Sequence, residues 1–377
     1  VSVQVVKASS SVSGTAADVT WGQAGSVSVT VAPAAATGKV ELYDGATKLG
    51  EGTLTGGATS VAIASKALAV GTHSLTLTYL GDGNHAADEG TVSVKVVKAS
   101  SSVSGTAADI TWGQAGSVSV TVAPSEASGT VELRSGATKL GEGVVSNGTA
   151  TVAVAARALA VGDHSLTLTY LGDGSHTASQ STVAVKVLRA ATTISAPDVT
   201  LQWAKASSVA VTVTPSPGGT VELYAGTTRL GEASLRGDGT ARIVLPPKSL
   251  EVGTHALTVK FLGSASYLPS QSTVTVTVTK GRSKAEVAAP TSLDAGDKAK
   301  IQATVDSFAD DAAGTVRILV KEVRGSFSKK VTRTLEAGGK VVAKLTVPRS
   351  GTYVVKVKYL GDRHTLADKV TTRLRVG

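Results

Sequence analysis

The sequence predicts an all-β chain of four successive antiparallel β-sandwiches. Three observations lead to this fold class: long segments recur at a nearly fixed spacing, apolar and hydroxyl side chains alternate within each copy, and turn residues separate the alternating runs. Aromatic residues make up only 3% of the chain, whereas Val, Ala, Thr, Ser and Gly are abundant, which favours strands joined by tight turns. With 377 residues the chain is long enough for several domains that each bury a core.

Internal repetition sets the expected domains. Lys7–Pro33 recurs 91 residues later as Lys98–Pro124, with one change from Val19 to Ile110. These spacings predict domains over residues 7–97, 98–188, 189–279 and 280–377, of which the fourth has diverged most. A shorter segment occurs once in each copy, as Tyr79–Asp82, Tyr170–Asp173, Phe261–Ser264 and Tyr359–Asp362.

Within one copy the alternation has a period of two residues. In Ser26–Val31 the valines share one face and the hydroxyls share the other, and Leu75, Leu77 and Tyr79 alternate with threonines. Such a pattern is typical of strands that are buried on one side. Turn dipeptides such as Asp44-Gly45 separate the runs, and about seven strands per copy are expected, as in an antiparallel sandwich.

Two motifs of the first copy resemble a known family. Gly38–Gly50 reads Gly-x-Val-Glu-Leu-Tyr-x-Gly-x-Thr-x-Leu-Gly, and Leu68–Asn84 contains Gly-Thr-His-x-Leu-Thr-Leu-x-Tyr-x-Gly-Asp-x-Asn. Both are similar to the bacterial Ig-like repeats of group 3, which occur in tandem in large extracellular and surface proteins. The resemblance implies four tandem immunoglobulin-like antiparallel β-sandwiches in an extended rod that serves as a spacer or adhesive stalk. The fourth copy keeps the pattern clearly only from Gly351 to Asp362.

The first ten residues repeat a segment that closes a copy. Val1–Ser10 reads VSVQVVKASS, and Val92–Ser101 reads VSVKVVKASS. Residues 1–6 are therefore expected to be the last strand of a preceding repeat. The alternative is that this strand completes the sheet of a neighbouring molecule and so builds a homo-oligomer by strand addition.

Composition and motifs argue against catalysis. The chain has no cysteine, which excludes disulfides, thiol chemistry and Cys-ligated metals. No G-x-S-x-G, P-loop, H-E-x-x-H or dinucleotide motif is present, and no apolar run reaches the ~18 residues of a membrane span. With 3 Trp, 7 Tyr and 3 Phe there is little to stack on bases or sugars. We therefore expect no enzyme activity, no cofactor, no nucleic-acid binding and no membrane span.

Recurring histidines invite a metal or catalytic interpretation. His73, His164 and His255 occupy one position of the first three copies, and Tyr353 stands there in the fourth. An imidazole that alternates with a tyrosine favours a corner residue that hydrogen-bonds back to the chain. No metal site is expected at these histidines.

A loop of the first copy gathers oxygen ligands that could suit Ca²⁺. It comprises Asp82–His85, with Asp88 and Glu89 close behind. The second copy has Ser179 and Gln180 in place of those last two carboxylates, so a solvated loop is expected rather than a metal site.

One tryptophan precedes the second strand in each of the first three copies, as Trp21, Trp112 and Trp203. These rings could form a platform for sugars or a plug at the end of each core. The plug is the expected role.

Positive charge is concentrated in the last copy. The whole chain has a net charge of +9, and residues 280–377 contain 20 Lys and Arg against 10 Asp and Glu, whereas the rest contains 17 against 18. Either this surface is solvated without a ligand, or it binds anionic wall polymers or an acidic partner subunit in a salt-sensitive way. The candidate residues are Arg317, Lys321, Arg324, Lys329, Lys330, Arg333, Lys356, Lys358, Arg373 and Arg375.

Three functions follow from these patterns. The first is a secreted or surface-displayed bacterial spacer that projects or links other domains, as a single chain or within an assembled layer or filament. The second is an adhesin or cell-wall-binding module that acts through the basic fourth copy. The third is an accessory region of a secreted hydrolase. The first is the expected function.

Overall fold

A computed structural model describes residues 1–307 and 312–377 of the chain. Strands joined by turns and loops make up these residues, and none of them lies in a helix. The chain divides into two compact units, Val1–Leu188 and Arg189–Gly377. Each unit contains two sandwiches, and each sandwich pairs a three-stranded sheet with a five-stranded sheet. The all-β sandwich prediction is therefore confirmed.

The first domain forms its smaller sheet in the order β1-β3-β6 and its larger sheet in the order β2-β8-β7-β4-β5. Its strands are β1 (Ser11–Ala16), β2 (Val19–Thr20), β3 (Gly25–Ala32), β4 (Lys39–Asp44), β5 (Thr47–Thr53), β6 (Ala58–Ile63), β7 (Gly71–Tyr79) and β8 (Asp88–Val97).

The second domain completes the first unit with the same topology, in the orders β9-β11-β14 and β10-β16-β15-β12-β13. Its strands are β9 (Ser102–Ala107), β10 (Ile110–Thr111), β11 (Gly116–Ala123), β12 (Gly129–Ser135), β13 (Thr138–Val145), β14 (Thr149–Val154), β15 (Gly162–Tyr170) and β16 (Ser179–Leu188).

The third domain opens the second unit, in the orders β17-β19-β22 and β18-β24-β23-β20-β21. Its strands are β17 (Thr193–Ser195), β18 (Val199–Gln202), β19 (Ser207–Thr214), β20 (Thr220–Ala225), β21 (Thr228–Ser234), β22 (Thr240–Leu245), β23 (Gly253–Phe261) and β24 (Ser270–Thr279).

The fourth domain keeps the topology despite its divergent sequence, in the orders β25-β27-β30 and β26-β32-β31-β28-β29. Its strands are β25 (Ser283–Ala288), β26 (Ser292–Leu293), β27 (Lys298–Ser307), β28 (Thr315–Glu322), β29 (Ser328–Thr334), β30 (Lys340–Thr346), β31 (Gly351–Tyr359) and β32 (Asp368–Val376). Each described sheet draws its strands from one predicted copy, while the domain limits themselves stay predictions.

The core of each domain lies between its two sheets, as the alternation predicts. In the first domain Val27 and Val29 of the smaller sheet face Leu42, Leu75 and Leu77 of the larger one, and all five side chains are buried. The hydroxyl residues between these positions point outward. Burial of β-branched and Leu side chains contributes roughly 1.5–3 kcal/mol each, so this layer is the main source of stability.

The described strands number eight in each domain, so the prediction of about seven was one short. The difference arises because the first strand splits in two. Strand β1 pairs antiparallel with β3, and after Ala17 and Asp18 the chain crosses to the other sheet, where β2 pairs parallel with β8. Every other pairing between strands in the first domain is antiparallel.

Residues 1–6 lie outside every strand, and their valines Val1, Val3, Val5 and Val6 are exposed. Their resemblance to the end of β8 still predicts a closing strand of a preceding repeat, or a strand added to a neighbouring molecule. Both alternatives remain predictions.

Candidate anion-binding face

The outer face of the larger sheet in the fourth domain carries rows of cations. Side chains directly opposite on neighbouring strands point to the same side of a sheet. Arg317 on β28 lies opposite Lys358 on β31, and Lys358 lies opposite Lys369 on β32. Adjacent strands are about 4.8 Å apart, so these three cations form one continuous row across the sheet.

Further rows on the same face extend the charge. Lys330 and Lys356 flank Leu319 from both sides, and Lys321 lies two residues along β28 in the next row. We call this surface the basic face; it comprises Arg317, Lys321, Lys330, Lys356, Lys358, Lys369, Arg373 and Arg375, all of them exposed.

Among the described residues of its four main strands, no carboxylate interrupts the basic face. The other residues that point outward from its four main strands are Thr, Ser, Leu and Val. Within residues 1–307 and 312–377, none of its eight cations is in an ion pair. Like charges directly opposite each other destabilise a sheet, so a bound polyanion would relieve repulsion within this face.

The sequence identified most of this surface but not all of it. Seven of the ten candidate residues lie on the basic face, and Lys369 was missed. Lys329 and Arg333 lie on the opposite side of the edge strand β29, since they pair with the inward-pointing Val320 and Val316. The remaining candidate, Arg324, lies in the turn between β28 and β29. Seven of the ten candidates therefore share one face, and Lys329, Arg333 and Arg324 lie outside it.

The first domain has an ion-pair network at the same backbone positions. Glu41 occupies the place of Arg317, and it lies opposite Glu51 and Thr78, with Glu89 beyond. The Lys48 ammonium lies 2.5 Å from a Glu41 carboxylate oxygen and 2.7 Å from one of Glu51. Lys39 contacts Glu51 as well, and hydrogen bonds from these two lysines lower the pKa of Glu51 to about 2.

The second and third domains repeat this balance. Lys139 bridges Glu132 and Glu142 at 2.8 and 2.6 Å. Arg229 bridges Glu222 and Glu232 in the same way, at 2.9 and 2.5 Å. Exposed pairs of this kind contribute little stability, but they place a basic group beside each of these glutamates. The fourth domain has Arg317 and Thr332 at the positions of Glu41 and Glu51, so these carboxylates are absent from its described outer face.

The recurring histidines are corner residues, as predicted. The Nε2 atoms of His73, His164 and His255 lie 2.9, 2.8 and 2.7 Å from backbone carbonyl oxygens four residues earlier in the chain. In the fourth domain the Tyr353 hydroxyl donates to the carbonyl of Arg349 at 2.9 Å in the same arrangement. The described residues contain no group of three or more metal-ligating side chains.

The aspartate of the Gly-Asp loop is used for internal hydrogen bonds. The Asp82 carboxylate accepts backbone N–H groups from Thr37 at 2.8 Å and from Asn84 and His85 at 2.7 Å. The Thr37 donor, followed by the His85 ring, holds the pKa of Asp82 well below its usual range although burial opposes the shift. These bonds tie the loop to the sheet and leave the carboxylate little capacity for a cation.

The tryptophans pack at the ends of the cores, as predicted. Trp21 and Trp112 are partly buried against the cores of the first and second domains. Trp203 is 7% exposed. The sugar-platform alternative has little support at Trp203, since little of this ring is free for stacking.

A known family profile matches three of the four domains. The sequence profile of the bacterial Ig-like domain (group 3) matches residues 11–97, 102–188 and 192–279, which is more than half of the chain. No curated protein sequence matches it. No helix in the described part of the chain is long and apolar enough to cross a membrane.

Solved structures with several tandem domains are similar over most of the chain. A tetra-tandem repeat in the extending region of a large adhesion protein is 14% identical, with 97% of this chain and 99% of that chain covered and a TM-score of 0.46. The ICAM-5 D1-D4 ectodomain fragment is 15% identical, with 98% and 100% covered and a TM-score of 0.35. Titin domains A168-A170 are 10% identical, with 74% and 99% covered and a TM-score of 0.33. On the profile match, the chain belongs to the bacterial Ig-like domain (group 3) family.

Proposed function

We propose that the chain is a non-enzymatic extracellular spacer that projects or links other domains at a bacterial cell surface. The observation that carries this proposal is the near-identity of the first two sandwiches, whose outer faces, like that of the third, pair glutamates with basic side chains. Because the copies repeat without a distinct binding site in each, the repetition favours a role that depends on length over one that depends on catalysis.

The junction within the first unit also supports a spacer. Only Lys98 separates Val97, the last residue of β8, from Ala99, which already pairs with a loop of the second domain. Such a short connection favours transmission of force or position over free rotation.

Small-angle X-ray scattering of the intact chain tests the spacer. An extended rod on the order of 150 Å long has a radius of gyration of roughly 43 Å, and deletion of residues 98–188 should shorten it by about one domain. A radius of about 21 Å, as for one compact body of this length, would contradict the proposal.

The basic face favours a second candidate, which is retention on an anionic wall polymer through the fourth domain. Its cations repeat in rows along the sheet, so a linear polymer of phosphodiester units could contact several rows at once. Such binding weakens as salt screens the charges.

Retention on purified cell walls tests this candidate with the intact chain. The variant Arg317→Thr, Lys358→Thr, Lys369→Thr should elute at lower salt than the parent. The matched control Lys300→Thr, Lys340→Thr, Lys344→Thr removes the same charge from the smaller sheet of the same domain and should elute like the parent. Equal loss in both variants contradicts a specific face. Retention on walls stripped of anionic polymer points instead to an acidic protein partner.

A further inference from the structure

The first and third domains each place a tryptophan beside their exit. The Trp21 backbone N–H donates to the carbonyl of Val97, the last residue of β8, at 2.9 Å. The Trp203 N–H donates in the same way to Thr279, the last residue of β24, at 2.9 Å. Each indole therefore lies where the chain leaves its domain.

In the first unit the next domain presents its Gly-Asp loop at this exit. The Ala99 N–H donates to the Ser175 carbonyl, and the Thr177 N–H donates back to Ala99, both at 2.9 Å. Because one residue separates Ala99 from Val97, the loop containing Ser175 is brought to the end of the first domain.

The second unit repeats this connection. Gly281 donates to the His364 carbonyl and accepts from the Leu366 N–H, both at 2.8 Å. Only Lys280 lies between Gly281 and the end of β24.

Both loops bring an imidazole onto the indole. The Trp21 and His176 ring centroids are 5.2 Å apart at an interplanar angle of 80°, an edge-to-face contact. Trp203 and His364 are stacked, with centroids 3.8 Å apart at 10°. His176 is 1% exposed, and its Nε2 has no hydrogen-bond partner among the described residues. This ring is therefore held by Trp21 and by Asp173 of its own loop, which contacts Nδ1 at 2.9 Å.

Polar contacts surround each ring pair. Lys66 of the first domain lies 5.2 Å from the centre of the Trp21 ring and forms an ion pair with Glu126 of the second. In the second unit Glu251 of the third domain contacts the His364 Nε2 of the fourth at 2.7 Å.

The connecting residue contributes in both units. The Lys98 ammonium donates to the Asp173 carbonyl, and the Lys280 ammonium donates to the Asp362 carbonyl, each at 2.5 Å. An imidazole thus meets the indole in both units, from adjacent positions of the loop and with different ring geometry and ion pairs, which argues against a chance contact.

We propose that the exit face of a domain in this chain is a docking surface for a second Ig-like domain whose Gly-Asp loop carries an imidazole. The joint formed by Trp21 with His176, and the joint formed by Trp203 with His364, hold consecutive domains as one body within their units. This inference does not depend on the proposed function, since it concerns recognition between domains and not what the chain projects or binds.

Double electron–electron resonance on the intact chain tests the first joint. The chain lacks cysteine, so Ser28→Cys and Ser119→Cys provide two unique labels on exposed positions of β3 and β11. The distance distribution should be narrow in this background. Trp21→Ala and His176→Ala should each broaden it, because loss of an aromatic pair shifts the docked-to-undocked ratio by about threefold to tenfold.

The control is His164→Ala, which removes a corner imidazole of the second domain away from the joint. It should leave the distribution as narrow as in the parent. If Trp21→Ala also destabilises the core of the first domain, His176→Ala still tests the joint, because His176 belongs to the second domain. An equally broad distribution in the parent, or no broadening with His176→Ala, would overturn the proposal.

Discussion

The outer faces of the first and fourth domains share a backbone and differ in charge. At one set of register positions the first domain has Glu41, Thr78 and Glu89, and the fourth has Arg317, Lys358 and Lys369. The sheets keep the same strand order. The difference shows that an exposed sheet face can reverse its charge without a change in topology, because the fold depends on the residues that point the other way.

Core truncations in the two domains should separate folding from binding. Leu77→Ala removes a fully buried side chain of the first domain and should cost about 2–5 kcal/mol. Val357→Ala at the same position of the fourth domain should cost about 2 kcal/mol, since fewer atoms are lost. Domain-resolved hydrogen exchange measures both. At a denaturant concentration that unfolds only the truncated domain of each variant, wall retention should survive Leu77→Ala and fall with Val357→Ala; the reverse order would place binding in the first domain.

Exchange of the charged row should transfer binding between the domains. Arg317→Glu, Lys358→Thr and Lys369→Glu together give the fourth domain the residues of the first and should weaken affinity for an anionic polymer on the order of a hundredfold, at roughly 1 kcal/mol per cation. The converse variant, Glu41→Arg, Thr78→Lys and Glu89→Lys, should raise the affinity of the first domain. Isothermal titration calorimetry at two salt concentrations measures both affinities. An unchanged affinity in either variant would show that this row of charges does not determine binding.

Acid should open the Gly-Asp loop of the fourth domain before that of the first. Burial raises the pKa of Asp362, but donors on Thr365 and His364 outweigh it and lower the pKa to about 2. A lowered pKa stabilises the folded state above the ordinary value near 4 and loses that contribution as the pH falls toward 2. The pKa of Asp82 is lowered further, so its loop should hold to lower pH.

Amide exchange, corrected for its intrinsic pH dependence, follows these loops. The third domain supplies the control, because Ser264 replaces the aspartate there and its loop should not respond through this group. Simultaneous opening of all the loops would show that the carboxylates are not responsible.

Removal of one cation should strengthen the sheet of the fourth domain. Lys369→Glu places a carboxylate opposite Lys358 and should raise the exchange protection of β31 and β32 about twofold to fivefold. The equivalent Glu89→Lys in the first domain puts a lysine opposite Thr78, and its effect should be smaller. Lower protection with Lys369→Glu would mean that the cations do not repel each other.

The alternation of valines and hydroxyls was the main basis for predicting the sandwiches, because a strand that is buried on one side needs an apolar residue at every second position. The basic face was harder to predict from the sequence. Which lysines share a face depends on strand register, and Lys329 is one residue out of phase with Lys330. Lys369 was missed because its place opposite Lys358 depends on that pairing, which the sequence does not show.

The joints between consecutive domains could not be predicted from the sequence either. Trp21 and His176 are more than 150 residues apart, and they meet because a backbone hydrogen bond places the indole at the exit of its domain. The repeat pattern did show that the tryptophan recurs as Trp112 and Trp203. It did not show that a tryptophan of one copy contacts a loop of the next.

Lysine-reactive footprinting of the intact chain, with and without a soluble anionic wall polymer, tests the charge reversal most directly. Lys330, Lys356, Lys358 and Lys369 should be protected by the polymer and lose that protection as salt is raised. Lys48 and Lys139, which are engaged by carboxylates, should be unchanged. Protection spread evenly over all domains, or confined to Lys300 and Lys344 on the other sheet, would contradict the account.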